Sequence, residues 1–163
     1  MQYRKATKAD AAGIIAVMEN AEQAGTMLWS PGEREMEEAT FAQSIEQEDT
    51  ARSGFFVAED EEGIAGYIFI KGEQPERIRH RAHLVMGMHE RVRGQGIGTE
   101  FLEYVIDWAK HSPLRRLELT VLTINEQAIR LYEKCGFEKE GVKRDSLRIN
   151  ELYVDELTMS YLL

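Results

Sequence analysis

Arg93-Gly94-Gln95-Gly96-Ile97-Gly98 sets three glycines at alternate positions. Between a strand and a helix, such a run turns successive backbone N–H groups toward one point, because no side chain blocks close approach. The chemistry this suits is anion binding. The positive end of the following helix and the charge of Arg93 add to the donors, so a pyrophosphate is the natural guest. The spacing separates the turn from two other phosphate loops: Gly98-Thr99 lacks the lysine of a P-loop, and Gly94-x-Gly96-x-Gly98 is not Gly-x-Gly-x-x-Gly. A tight turn with a purely structural purpose is the alternative. His80 and His83 point to opposite faces of an extended strand with no third ligand at a recognisable spacing, so no metal site is expected. Cys135 has no basic neighbour arranged to make it a nucleophilic thiolate.

The elements that must position this turn are read from periodicity. Gln2 to Ala6 alternates as a strand, and Thr7 with Asp10 caps a helix carrying Ile14, Ile15, Met18 and Ala21. After Trp29-Ser30-Pro31-Gly32, helical spacing resumes from Glu33 through Met36, Phe41 and Ile45. Gly54 to Glu59 and Ile64 to Ile70 form a hairpin around Asp60-Glu61-Glu62-Gly63, and a further strand spans about Arg79 to Glu90. Phe101, Tyr104, Val105 and Trp108 then mark a helix ending before Pro113. Arg116 to Val121 is a strand, Ala128, Leu131, Tyr132 and Cys135 a helical stripe closed by Gly136, and Phe137 to Lys143 and Leu152 to Met159 the last strands. The order β-α-α-β-β-β-α-β-α-β-β predicts an α/β fold: a mixed, mostly antiparallel sheet with helices on both faces. Arg77, Arg79 and Arg81 are expected on one face of an edge strand, solvated or holding an anionic group.

Arg93-x-x-Gly96-x-Gly98 resembles the motif Arg/Gln-x-x-Gly-x-Gly/Ala of the GNAT superfamily of N-acetyltransferases. Leu119-Thr120-Val121, Asn125, Ala128, Leu131-Tyr132 and Gly136-Phe137 are similar to its second signature, and the likeness is weakest from Ala24 to Arg52. The resemblance implies acetyl-CoA as co-substrate. Met86 and Met88 then offer backbone groups to the pantetheine arm and acetyl carbonyl, Arg93, Gly94, Gln95, Gly96, Ile97 and Gly98 hold the pyrophosphate, and Asn125 contacts the cofactor arm. Tyr132 is implied as the general acid for the departing thiolate; a tyrosine with its pKa of about 10 has a proton to give at neutral pH. An acceptor ammonium with a pKa of about 10.4 must lose a proton first. Thr120 stands where some relatives have a glutamate, so the base is sought elsewhere: Glu118, two residues earlier on the same strand face, is the first candidate, with Glu90, Glu33, Glu35, Glu37 and Glu38 as others. Trp29 is placed in the acceptor pocket or the core.

The 163 residues suit one domain, 1–163. A formal net charge of −9 repels nucleic acid and favours a cationic acceptor, a small-molecule amine or a protein N-terminus. No apolar run reaches the roughly 18 residues of a membrane span, and the first residues lack a secretion core, so no membrane partner and a cytoplasmic location are expected. The single cysteine accords with a reducing compartment. A homodimer is expected to form, if at all, through Leu152 to Leu163.

Overall fold

Period-two alternation in the strands decides the layering. The computed structural model describes residues 1–163, with strands β1 (Gln2–Lys5), β2 (Gly54–Asp60), β3 (Gly63–Gly72), β4 (Arg81–Met88), β5 (Arg116–Leu122), β6 (Glu138–Ile149) and β7 (Leu152–Leu162). The helices are α1 (Ala11–Glu22), α2 (Glu38–Gln47), α3 (Ile97–Lys110) and α4 (Glu126–Lys134). The sheet runs β1-β2-β3-β4-β5-β7-β6, and every neighbouring pair is antiparallel except β4–β5. In β2, Phe56 and Ala58 join the core under α3 and α4, while Phe55 and Val57 join the core under α1 and α2. One sheet thus carries two apolar layers, the arrangement its sequence order predicts. No helix is long and apolar enough to cross a membrane.

The entry into α1 is pinned as the sequence suggests: the Asp10 carboxylate accepts the Thr7 backbone N–H at 2.7 Å and both Arg4 terminal nitrogens at 2.8 Å. Three expectations are corrected. The second helix begins at Glu38 rather than Glu33, because Pro31-Gly32 leads into a turn in which the Glu33 carboxylate accepts the Ser30 N–H at 2.9 Å. Arg77 and Arg79 do not share a strand face with Arg81: Pro75, with its fixed φ, starts a single helical turn over Glu76–Ile78, and β4 begins only at Arg81. The C-terminal strand β7 offers no open edge, since β5 and β6 pair with it on either side; the edge strands are β1 and β6.

The β6–β7 arm is shaped by a bulge in which Arg144, Asp145 and Ser146 lie between the paired positions Lys143↔Glu156 and Leu147↔Val154. Asp145 takes a φ of 51°, and its N–H donates to the Asp155 carboxylate at 2.8 Å. At the sheet end of the arm, Glu140 accepts from Arg116 at 2.6 and 2.5 Å and from Ser160 at 2.6 Å. Arg116 first, then Ser160, hold the Glu140 carboxyl down at about 2, and Arg4 holds Asp10 below its ordinary value. Both folded-state values lie below the unfolded ones, so these pairs stabilise the fold above the ordinary carboxylate range and are lost as pH falls through the depressed values. The melting temperature is therefore expected to hold from about pH 7 to about pH 5 and to fall between about pH 4.5 and 2, less steeply in Arg116→Ala. Circular dichroism melts across that range check it.

Candidate active site

The site begins where two strands part. β4 pairs with β5 only from Arg81↔Arg116 to His83↔Glu118; β4 then continues against β3 to Met88↔Gly66, and β5 against β7 to Leu122↔Glu156. In the β3–β4 ladder, His89 N–H donates to the Ala65 carbonyl at 2.8 Å and Glu73 N–H to the Arg81 carbonyl at 3.2 Å. Antiparallel pairs alternate between bonded and non-bonded, so the odd-numbered residues of β4 turn their backbone groups to β3, and Met86 and Met88 turn theirs into the gap.

Two cavities open from this gap. One, of about 250 Å³, reaches Met86, Gly87, Met88, Arg93, Leu131 and Tyr132. The other, of about 620 Å³, lies toward α1 and the β6–β7 arm and has an aromatic wall of Phe41, Phe55 and Phe69. Both are lined by Thr26, Met27, Met86, Asn125, Ala128 and Tyr132, so they meet at Tyr132. The wall beside the junction is tight: a Cβ on Gly87 falls 2.4 Å from Tyr67 Cε1.

Of the glycine turn, only Arg93 lines the smaller cavity. Gly94 and Gly96 take φ values of 74° and 83°, and nothing lies within 4 Å of a Cβ built on either, so backbone conformation alone explains glycine there. Gly98 has a different reason, since its Cβ would lie 2.8 Å from Leu131 Cδ1 as α3 packs on α4. From Gly94 to Gly98 no backbone N–H donates to a backbone carbonyl; the first bonds of α3 come from Thr99 and Glu100 to the Gly96 carbonyl. The start of a fourteen-residue helix adds its dipole. Arg93 is engaged otherwise than expected: its guanidinium donates to the Met88 carbonyl at 3.1 and 2.9 Å, tying the turn to the end of β4. Gln95 braces the turn by donating to the Arg91 carbonyl at 2.8 Å, and Arg91 is clamped on Asp60 at 2.5 and 2.9 Å.

Tyr132 is 8% exposed and packs 5.9 Å from the Phe137 ring. Burial pushes its phenol pKa up, which keeps the proton on. Its hydroxyl takes no protein partner, whereas that of Tyr3 donates to Glu100 at 2.8 Å. Asn125 caps α4, its side chain accepting the Ala128 N–H at 3.2 Å, so it orients the helix that carries Tyr132 while lining both cavities.

Glu118 is placed differently from expectation. It lines neither cavity: its carboxylate accepts from Arg116 Nε at 2.9 Å and lies 3.8 Å from Arg81 Nε, because both arginines share its face of the sheet. Glu90, Glu33, Glu35, Glu37 and Glu38 also lie outside both linings. Besides the tyrosines, the ionisable groups of the larger cavity are instead Glu22, Arg34, His83, Lys143 and Glu156. Glu22, 3% exposed at the end of α1, forms an ion pair with Arg34, whose guanidinium stacks 5.9 Å over Trp29. That pair fastens the loop from Ala24 to Glu37 across the cavity and puts Trp29 in its lining. No sequence signal links residues 22 and 34; His83 was visible only as half of a discarded metal pair.

A model of the acetyltransferase (GNAT) family matches residues 15–137. The chain belongs to that family. The GNAT match takes in the parted strands, the glycine turn and Tyr132. The chain is similar to the L-amino acid N-acetyltransferase AaaT of Escherichia coli strain K12, at 33% identity over 102 residues, covering 60% of this chain and 60% of that protein. It thus spans less than two thirds of that relative's length. A GNAT-family acetyltransferase structure from Streptococcus pneumoniae superposes with a TM-score of 0.94 at 28% identity, over 99% of this chain and 98% of that one. The yncA structure from Salmonella typhimurium, solved with its cofactor acetyl-CoA, shares the fold at TM-score 0.90 and 20% identity, over 99% and 93% of the chains.

Proposed function

We propose that this GNAT chain, acting as one domain of residues 1–163, transfers the acetyl group of acetyl-CoA to a primary amine by direct attack within a ternary complex in the cytoplasm. The observation that supports it above all others is the meeting of two cavities at Tyr132, in a gap where β4 has unpaired backbone groups to offer. The N–H groups from Gly94 to Gly98 suit a pyrophosphate, and the Met86 backbone with the Met88 N–H, the Met88 carbonyl being held by Arg93, offers an unpaired strand edge to an extended amide-bearing arm. Acetyl-CoA supplies a thioester carbonyl activated for acyl transfer. A backbone N–H at the gap polarises that carbonyl, the buried Tyr132 phenol gives its proton to the departing sulfur, and the dry walls hold the amine in line. The larger cavity receives the acceptor, a small-molecule amine or a protein N-terminus; its volume suits an amino-acid-sized ligand, the class for which AaaT is named.

Thermal-shift titration tests the donor half. Acetyl-CoA in hundredfold excess over its dissociation constant is expected to add about 2.7 kcal/mol of stability, with ATP adding none; no shift with acetyl-CoA contradicts the reading. Gly96→Ala puts a Cβ on a residue at φ 83°, a strain of about 1–2 kcal/mol. Relaxing it swings the N–H groups apart, so acetyl-CoA affinity is expected to fall by about 5–30-fold, measured by the same titration.

A further inference from the structure

Reading the site as an acetyl-transfer centre leaves the acceptor's proton without a receiver, and the following rests on that reading. An alkylammonium is neutral in only about one molecule in a few thousand at pH 7, so a base must face the larger cavity. Two of its carboxylates are engaged: Glu22 with Arg34, and Glu156, which accepts the Ser146 hydroxyl at 2.5 Å. His83 lines the same cavity from β4, at the last β4–β5 pair before the strands part, directly opposite Glu118. The histidine rings that hydrogen-bond within the protein are those of His89 and His111, which leaves the His83 ring free.

We propose that His83 is the catalytic base that takes the proton of the incoming ammonium, with the Glu118 carboxylate, held by Arg81 and Arg116, as a fixed negative charge beside it on the same sheet face. Residues directly opposite in a strand pair share a face, which brings the carboxylate alongside the imidazole. Burial holds the His83 pKa below its ordinary value, opposed by Glu118, Glu73 and Glu156 and aided by Lys143. Lys71, its partner on β3, is turned to Glu48. The imidazole is therefore neutral at pH 7 and able to accept. The ammonium gives its first proton to His83, the freed lone pair forms the N–C bond as the C–S bond breaks, and the sulfur takes the Tyr132 proton. The second nitrogen proton restores Tyr132 as the amide forms, and His83 returns its own to solvent.

The test pairs two acceptors on the full chain, followed by thiol release: a basic primary amine and an alkoxyamine, which is already neutral at pH 7. His83→Gln is expected to lower kcat/KM for the basic amine by about 10²–10⁴-fold and for the alkoxyamine by less than about tenfold. Raising the pH restores the variant's rate with the basic amine as its own neutral fraction grows. Glu118→Gln moves the acid limb of the pH profile to lower pH, because its charge raises the His83 pKa. His83→Asn is the second variant, and the acetyl-CoA melting shift reports that each is folded. Equal losses with both acceptors, or none with the basic amine, overturn the base alone. Absence of thiol release by the unaltered protein with every acceptor overturns the acetyl-transfer reading and the base with it.

Discussion

Tyr132→Phe is expected to lower kcat for thiol release by about 10²–10⁴-fold, the usual contribution of a positioned general acid. The change removes one oxygen and keeps the ring that packs against Phe137, so the core under α3 and α4 is preserved. The hydroxyl gives up no protein hydrogen bond, so folding and acetyl-CoA affinity are expected to stay within about twofold. What is lost is a proton at the junction of the two cavities, held there because burial raises the phenol pKa. The readout is a thiol-trapping assay at saturating acetyl-CoA. Cys135 adds little background to it, since burial first, then Glu103, push that thiol up to about 11. A phenylalanine variant with more than about half the original kcat assigns Tyr132 to packing alone.

Gly87→Ala is expected to destabilise the fold by about 1–3 kcal/mol, the usual cost of overpacking, and so to lower the melting temperature by roughly 2–12 °C. The new methyl lands 2.4 Å from Cε1 and 3.0 Å from Cζ of Tyr67, a ring that is 2% exposed and packed in the core under α1 and α2. Desolvation pushes the Tyr67 phenol to about 12, which marks how dry that position is. Unlike the flexible side chain facing Gly98, this is a rigid ring wedged between the core under α1 and α2 and the wall of the larger cavity, so ring and strand shift together and carry the Met86 and Met88 backbone with them. Loss of acetyl-CoA affinity is expected to accompany loss of stability. Gly141→Ala is the control, because nothing lies within 4 Å of its added Cβ and its backbone needs no positive φ. Gly87→Ala combined with Tyr67→Leu, which removes the clashing ring, is expected to show a coupling of about 0.5–3 kcal/mol in a double-mutant cycle.

Periodicity and punctuation were enough to read the element order, because α3 and α4 each bury one stripe and the strands alternate across two cores. The glycine turn was legible for a related reason: positive φ and close approach both require glycine, and each leaves its mark in one short stretch of sequence. Long-range pairing left no such mark. Glu118 reads as an available carboxylate until the fold brings Arg81 alongside Arg116 to claim it. Arg93 reads as a phosphate ligand until the turn folds its guanidinium onto the Met88 carbonyl. The acceptor wall was the least legible, since it draws on α1, the loop after it, α2, α4, the four strands β2 to β5 and the bulged β6–β7 arm, whose residues are adjacent only in space.

The most direct test of the central claim is the joint measurement of free thiol and acetylated product when the protein meets acetyl-CoA and a panel of primary amines. Stoichiometric release of CoA thiol and formation of the N-acetyl amide, both abolished by omitting the amine, is the predicted result. A protein that binds acetyl-CoA yet forms no amide with any small amine, amino acid or peptide N-terminus contradicts the account.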